Sequence, residues 1–273
     1  VTGLSATGLP VAETVQHLQV RYAKHGRMRF ASHRDIARAV ERAVRKAGLP
    51  IAYSAGFTPH PKISYAGASA TCVASEAEYL ELAFTSPCVP QDVRARLDAA
   101  LPDGIDVIDV AERGSDLPLA RLEVSQWQMT LPGVPPAVAE TAIGEFLAAS
   151  RVEVERLTKK GIRRMDARAA VISMELDRRA DSAQPGECVI LRMVVRHTTP
   201  AVRPDDILAA LCSVANDAAV ANDTAAQGST AGLAPSAPPL VTRLAQGPLE
   251  GAAVSAGPGT DIPAATAGRG RGE

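Results

Sequence analysis

The sequence predicts an α+β fold of two ferredoxin-like units with antiparallel sheets, ending in a disordered C-terminal tail. Three observations carry this expectation. Segments in the first half run strand, helix, strand, strand, helix, strand, which is the ferredoxin-like pattern. The order then partly repeats. Finally, 46% of the 273 residues are hydrophobic and only 3% aromatic, so a sizeable core is available and must be built from Ala, Val, Leu and Ile.

Residues 1–15 read as a flexible N-terminus and residues 16–113 as the first unit. His17–Ala23 alternates as a strand, with Leu18, Val20 and Tyr22 on one face. Lys24–Arg27 reads as a turn, and Arg29–Ala31 as extended chain. Ser32 then opens a helix, with Asp35 completing a capping box in the usual Glu place. Ile36, Ala39, Val40, Ala43, Val44 and Ala47 form its apolar stripe. Gly48 closes it and Pro50 prevents its return. Arg34, Arg38, Arg42, Arg45 and Lys46 fall off the stripe, on the solvent side. Ile51–Ser54 is short and extended. Ile63–Val73 and Glu78–Thr85 read as strands around a turn at Ala74–Ala77. Pro90 starts a second helix with Val93, Leu97 and Leu101 inward, and Ile105–Val110 forms the fourth strand.

Gly114–Leu122 reads as a linker, and residues 122–249 as the second unit. Glu123–Leu131 alternates as a strand, and Pro135 and Pro136 start a helix that runs to Ser150. Val152–Leu157, Val171–Leu176 and Cys188–His197 read as strands, Pro204 opens a helix to about Val214, and Leu240–Ala245 supplies the closing strand. Residues 216–239, rich in Ala, Asp, Pro and Ser, read as a disordered insertion, and residues 250–273 as a disordered tail.

The net charge of −1 hides a segregation. Between Gln16 and Pro50 nine Lys/Arg stand against two acids, and between Glu76 and Glu123 eleven acids stand against four Arg. Such a chain holds a basic face while staying neutral overall. No apolar run approaches the roughly 18–20 residues of a membrane helix, and the N-terminal residues have no secretory signal pattern. A cytoplasmic protein without membrane partners is expected. Cys72, Cys88, Cys188 and Cys212 are widely spaced with no CxxC, so they read as buried free thiols rather than a zinc site, an iron–sulfur site or disulfides. No metal site, cofactor or catalytic residue is expected. Phosphate-loop, dinucleotide, nucleophile-elbow and zinc-protease motifs are all missing.

Two segments carry the candidate site. In Ser54–Tyr65, SAGFTPHPKISY, Pro59 and Pro61 fix their own φ and push Thr58 and His60 toward extended geometry. His60 and Lys62 therefore project from a stiff loop beside Gly56 and Phe57, and Ser54, Thr58 and Lys62 offer donors to an anion. The alternatives are a rigid strand connection and a catalytic His60, for which no partner nucleophile is visible. Thr158–Arg168 holds five cations (Lys159, Lys160, Arg163, Arg164 and Arg168) against Asp166 alone. A basic inter-strand segment of this kind reaches a phosphate backbone, and the alternative is a solvated loop with Asp166 paired locally. Tyr22, Phe30, Tyr53, Phe57, Tyr65, Tyr79 and Phe84 concentrate in the first unit, mostly as core, and no RRM-type aromatic run is present.

Three stretches, Met28–Leu82, LTKKGIRRMDARAAVISMEL at Leu157–Leu176 and VTRLAQGPL at Val241–Leu249, resemble the radical-SAM-linked bacterial domain of unknown function, in its stand-alone actinobacterial form. That resemblance implies genomic company with ribonuclease E/G, and a setting in RNA metabolism or modification. The CxxxCxxC motif that ligates a radical-SAM cluster is missing here, so the chain is not itself that enzyme. The expected function is non-catalytic binding or delivery of RNA, such as tRNA or rRNA. The first alternative is an adaptor docking a radical-SAM enzyme or ribonuclease. The second is an enzyme using His60, Asp35 or Asp166, which would require those residues to converge.

Overall fold

The computed structural model describes residues 13–55, 57–68, 70–114, 121–159, 161–177, 188–222 and 233–249. Expectations for residues 1–12 and for the tail at 250–273 lie outside the described residues.

In the first half, β1 (Gln16–Lys24) leads through a 3-10 turn (Gly26–Phe30) into α1 (His33–Lys46). The turn replaces the predicted extended segment because Gly26 takes φ +48°, which reverses the chain at once. α1 starts as predicted: the Ser32 hydroxyl accepts from the Asp35 amide, and the Asp35 carboxylate accepts from the Ser32 amide, both at 3.3 Å. Its apolar stripe, Ile36 to Val44, is buried. Then come β2 (Ile63–Tyr65), β3 (Val73–Phe84), α2 (Pro90–Ala100) and β4 (Ile105–Glu112). All pairings are antiparallel, in the order β4-β1-β3-β2.

The second half contains β5 (Val124–Pro132), α3 (Pro136–Ala148), β6 (Glu153–Thr158), β7 (Gly161–Asp166), the short α4 (Ala167–Ala170), β8 (Val171–Leu176), β9 (Cys188–Arg196), α5 (Pro204–Asn222) and β10 (Leu240–Gly247). Its sheet order is β10-β5-β9-β8. With β6 and β7 set aside, connectivity and order match the first half. The two quartets form one eight-stranded sheet, joined where Val241–Arg243 run parallel to Val73–Ser75.

That junction explains two departures from the predicted elements. β3 begins at Val73, so Ala74–Ala77 is strand rather than turn; Ser75 pairs with both Lys24 and Arg243, and Ser75 and Ala77 are fully buried. β2 stops at Tyr65 instead of Val73, because higher up the same flank of β3 is taken by β10. A third departure is β6. It stays out of the large sheet and pairs only with β7, since only Val154 along it is buried and β8 fills the place beside β9. Part of the predicted insertion is ordered. α5 runs on to Asn222, and Leu233 is buried in the second core; residues 223–232 lie outside the described residues.

Two aliphatic cores result, one around Leu18, Ile36, Val40, Leu82 and Leu97, the other around Met129, Phe146, Leu191, Ile207 and Leu211. The seam between the halves is charged. Arg243 donates to Glu78 at 2.9 Å and lies over the Trp127 ring at 4.5 Å. Lys24, fully buried, donates to the Ala70 carbonyl. The four cysteines are free as predicted but not buried: Cys72 is exposed and the others are half-buried.

Candidate nucleic-acid interface

α1 presents its cations as the helical pattern requires. Arg34, Arg38, Arg42, Arg45 and Lys46 are all exposed. Among the described residues, of these five only Arg45 has an ion pair, with Glu41 at 3.4 Å, and an exposed i,i+4 pair of this kind is worth about 0.3–0.5 kcal/mol. The Asp35 carboxyl is held below its usual range by the Ser32 hydroxyl and then by the Ser32 amide. It is a helix cap rather than a proton-transfer group.

The SAGFTPHPKISY segment is a pinned base with an exposed tip. The Ser54 amide donates to the His60 carbonyl at 2.8 Å, and the His60 amide donates to the Ser54 hydroxyl at 3.0 Å. Tyr53 bridges to Pro61, and the Lys62 amide donates to the Ala52 carbonyl at 2.8 Å. Ser54 therefore ties the base of the loop together, its hydroxyl accepting from the His60 amide. Phe57 is 86% exposed, and Thr58, His60 and Lys62 are exposed with it. Among the described residues Lys62 Nζ reaches the Thr14 hydroxyl, at 3.4 Å. Gly56 lies outside the described residues.

The basic segment of the second half is a hairpin. Leu157 faces Ile162 across β6 and β7, Arg156 faces Arg163, and Glu155 faces Arg164. Gly161 at φ +106° closes the turn. Val154 and Met165 are buried at the base, and Arg156 is tied to Asp206 at 2.6 Å. Lys159, Arg163 and Arg164 are exposed, and Arg164 pairs with Glu155 at 2.8 Å. Lys160 lies outside the described residues. Arg168 is not part of this surface. It is half-buried, donates to the Leu147 and Val171 carbonyls at 3.2 and 3.0 Å, and clamps the end of α3. Asp166 accepts from the Ala169 amide at 3.2 Å as the cap of α4.

The shared sheet fixes where these elements emerge. β3 and β10 run parallel, so β1, β2, β5 and β8 all point the same way. The SAGFTPHPKISY loop precedes β2 and the β6–β7 hairpin precedes β8, so both leave the same end of the sheet. They hold equivalent places, each between the first helix and second sheet strand of its half. Three strand spacings separate β2's flank from β8, roughly 14 Å. The C-terminal end of α1, with Arg42, Arg45 and Lys46, points to the same end. Arg34 and Asp35 sit at the other, roughly 16 Å away along the helix. His60, Asp35 and Asp166 therefore do not form one cluster: Asp35 and Asp166 cap separate helices. Among the described residues no three His, Cys, Asp or Glu side chains converge as metal ligands, and no helix is long and apolar enough to cross a membrane.

Sequence reasoning passed over Leu157 and Ile162, which are 81% and 67% exposed at the hairpin tip. The available signal was two aliphatic residues placed symmetrically about a Lys-Lys-Gly turn. The aromatics divide: Tyr22, Tyr79 and Phe84 are buried and Tyr65 is half-buried, whereas Phe30, Tyr53 and Phe57 are exposed.

The fold is thus that of an α+β protein whose two like halves share a sheet and carry basic protrusions at one end. The chain belongs to the family described as uncharacterized protein conserved in bacteria (DUF2344), which matches residues 17–204, more than half of its length. No curated protein matches it. Among solved structures it is similar to a chain of a Cbf5-Nop10-Gar1 complex, at 12% identity and a TM-score of 0.41, over 90% of this chain and 53% of that one. The chain thus spans about half the length of that relative. An unknown protein from Galdieria sulphuraria is similar at 13% identity and a TM-score of 0.22, over 75% of this chain and 94% of that one.

Proposed function

We propose that this protein is a non-catalytic RNA-binding or RNA-delivery protein, acting on structured RNA such as tRNA or rRNA in the cytoplasm. The observation that carries this reading is the emergence of two basic protrusions and the basic end of α1 at one end of the sheet. Arg42, Lys62, Lys159 and Arg163 make no ion pair with described residues there, so their charge is available to phosphates. The resemblance to the radical-SAM-linked domain supports a working place beside a radical-SAM enzyme or ribonuclease E/G. Binding of this kind neutralises phosphates and releases counterions.

The test is the double variant Arg42→Glu with Lys62→Glu, titrated with tRNA at low salt. The reading predicts at least a tenfold loss of affinity with thermal stability unchanged. Unchanged affinity contradicts this surface. A protein partner co-purifying without nucleic acid favours the adaptor reading instead.

A further inference from the structure

The β6–β7 hairpin is held firmly at its base and is exposed at its tip. Val154 and Met165 are buried, the Ala167 amide donates to the Val152 carbonyl at 2.8 Å, and Arg156 is fixed to Asp206, itself only 7% exposed. Beyond that anchorage the ribbon carries Leu157 opposite Ile162 on one face, Arg163 on the opposite face across from Arg156, and Lys159 at the turn. The nearest acid on the Leu157 face, Glu155, is already neutralised by Arg164 at 2.8 Å. The tip is therefore apolar and cationic without an acid of its own. A cross-strand aliphatic pair this exposed adds little to the fold, because it covers nothing.

We infer that this tip is a wedge for unpaired nucleotides of a structured RNA. Leu157 and Ile162 pack against exposed base faces, while Lys159 at the turn and Arg163 on the ribbon's other face hold the phosphates that flank the wedged base. The two chemistries at the tip match the two that a nucleotide presents, an apolar base face and an anionic phosphate. Aliphatic side chains on projecting elements wedge between bases in this way. The paired interior of A-form RNA is closed to them, since its major groove is deep and narrow, and bases in loops and bulges are the accessible ones. Charge complementarity selects RNA over an acidic-free apolar protein surface, which would leave Lys159 and Arg163 unmatched. This inference rests on the RNA-binding reading above and names the part of the RNA that the hairpin takes.

The experiment uses the full chain and two RNA probes with the same stem, one closed by an unpaired loop and one fully paired, followed by fluorescence anisotropy at two salt concentrations. The wedge predicts at least tenfold tighter binding to the looped probe. Leu157→Ser with Ile162→Ser should abolish that preference while leaving the salt dependence intact. Lys159→Gln with Arg163→Gln should weaken both probes alike and flatten the salt dependence. Both pairs are exposed, so melting temperatures should stay at the wild-type value. Wild-type binding to RNA without preference for the loop, or a preference that survives the Leu157/Ile162 change, overturns the wedge and leaves the RNA reading standing. The apolar tip would then belong to a protein partner. No binding to either probe removes both readings.

Discussion

Glu78 illustrates how single residues hold the seam. Its carboxylate lies 2.9 Å from Arg243 and is 7% exposed, and Lys24 is buried close by. Burial lowers the Lys24 pKa and Arg243 pushes the same way, while Glu78 opposes both. Glu78→Gln would leave two buried cations without a counter-charge. The expected cost is about 3 kcal/mol, read by urea denaturation; a loss near zero would show that the seam does not depend on this pair. His197 plays a comparable part within the second half, tying the end of β9 to the start of β5. Its Nδ1 lies 2.7 Å from the Leu122 carbonyl, to which it donates, and its Nε2 lies 2.7 Å from the buried Ser125 hydroxyl. The residue is exposed by area, yet partial desolvation of its bonded ring depresses its pKa; the Leu122 carbonyl opposes and Arg243 adds to the depression, so the effect is modest. Because the folded state resists the proton, His197 contributes fully above its unfolded value of about 6.5, and its contribution is lost as pH falls through the depressed folded value. Melting temperature should therefore drop between pH 7 and 5, and His197→Gln should reduce the drop. An equal drop in the variant would assign the acid sensitivity elsewhere. At this scale the sequence was legible where the interaction is local, as with Ser32 and Asp35. It was opaque for Glu78 and Arg243, which stand 165 positions apart.

Elements were legible where their periodicity was complete. α1 has stripe, cap and stop in a single run, and it lies where it was expected. β6 also alternates, but alternation alone cannot say which sheet a strand joins, and β6 joined only β7. The turn expected at Ala74–Ala77 was misread because its residues are small and polar. Their strand conformation comes from β10, far along the chain. The SAGFTPHPKISY loop raised a choice between a rigid connection, a contact loop and a catalytic His60; its geometry is a tied base below an exposed Phe57, Thr58 and His60. Ser54→Ala removes one of the two ties. Exchange of the His60 amide should accelerate at a global cost of about 1 kcal/mol, measured by hydrogen exchange and denaturation. An unchanged exchange rate would mean that the prolines alone stiffen the loop.

At the scale of the whole molecule, the α+β class and the repeated order of elements were readable from the pattern of strands and helices. The continuous sheet was not, since it depends on three residues of β3 meeting three of β10 in parallel. That contact aligns the two halves and sends the SAGFTPHPKISY loop and the β6–β7 hairpin out of one end of the sheet. Charge segregation along the chain pointed to a basic face; the strand directions send the loop and the hairpin out of the same end, while Arg168 is half-buried and bonded to the Leu147 and Val171 carbonyls. The central claim is that this end binds RNA through several phosphates at once. The most direct test is a salt titration of the nuclease-treated protein binding to total cellular RNA. The account predicts a straight log–log decline, its slope reduced by about 0.7–0.9 for each of Lys62 and Arg163 changed to Gln. No binding even at low salt would contradict it.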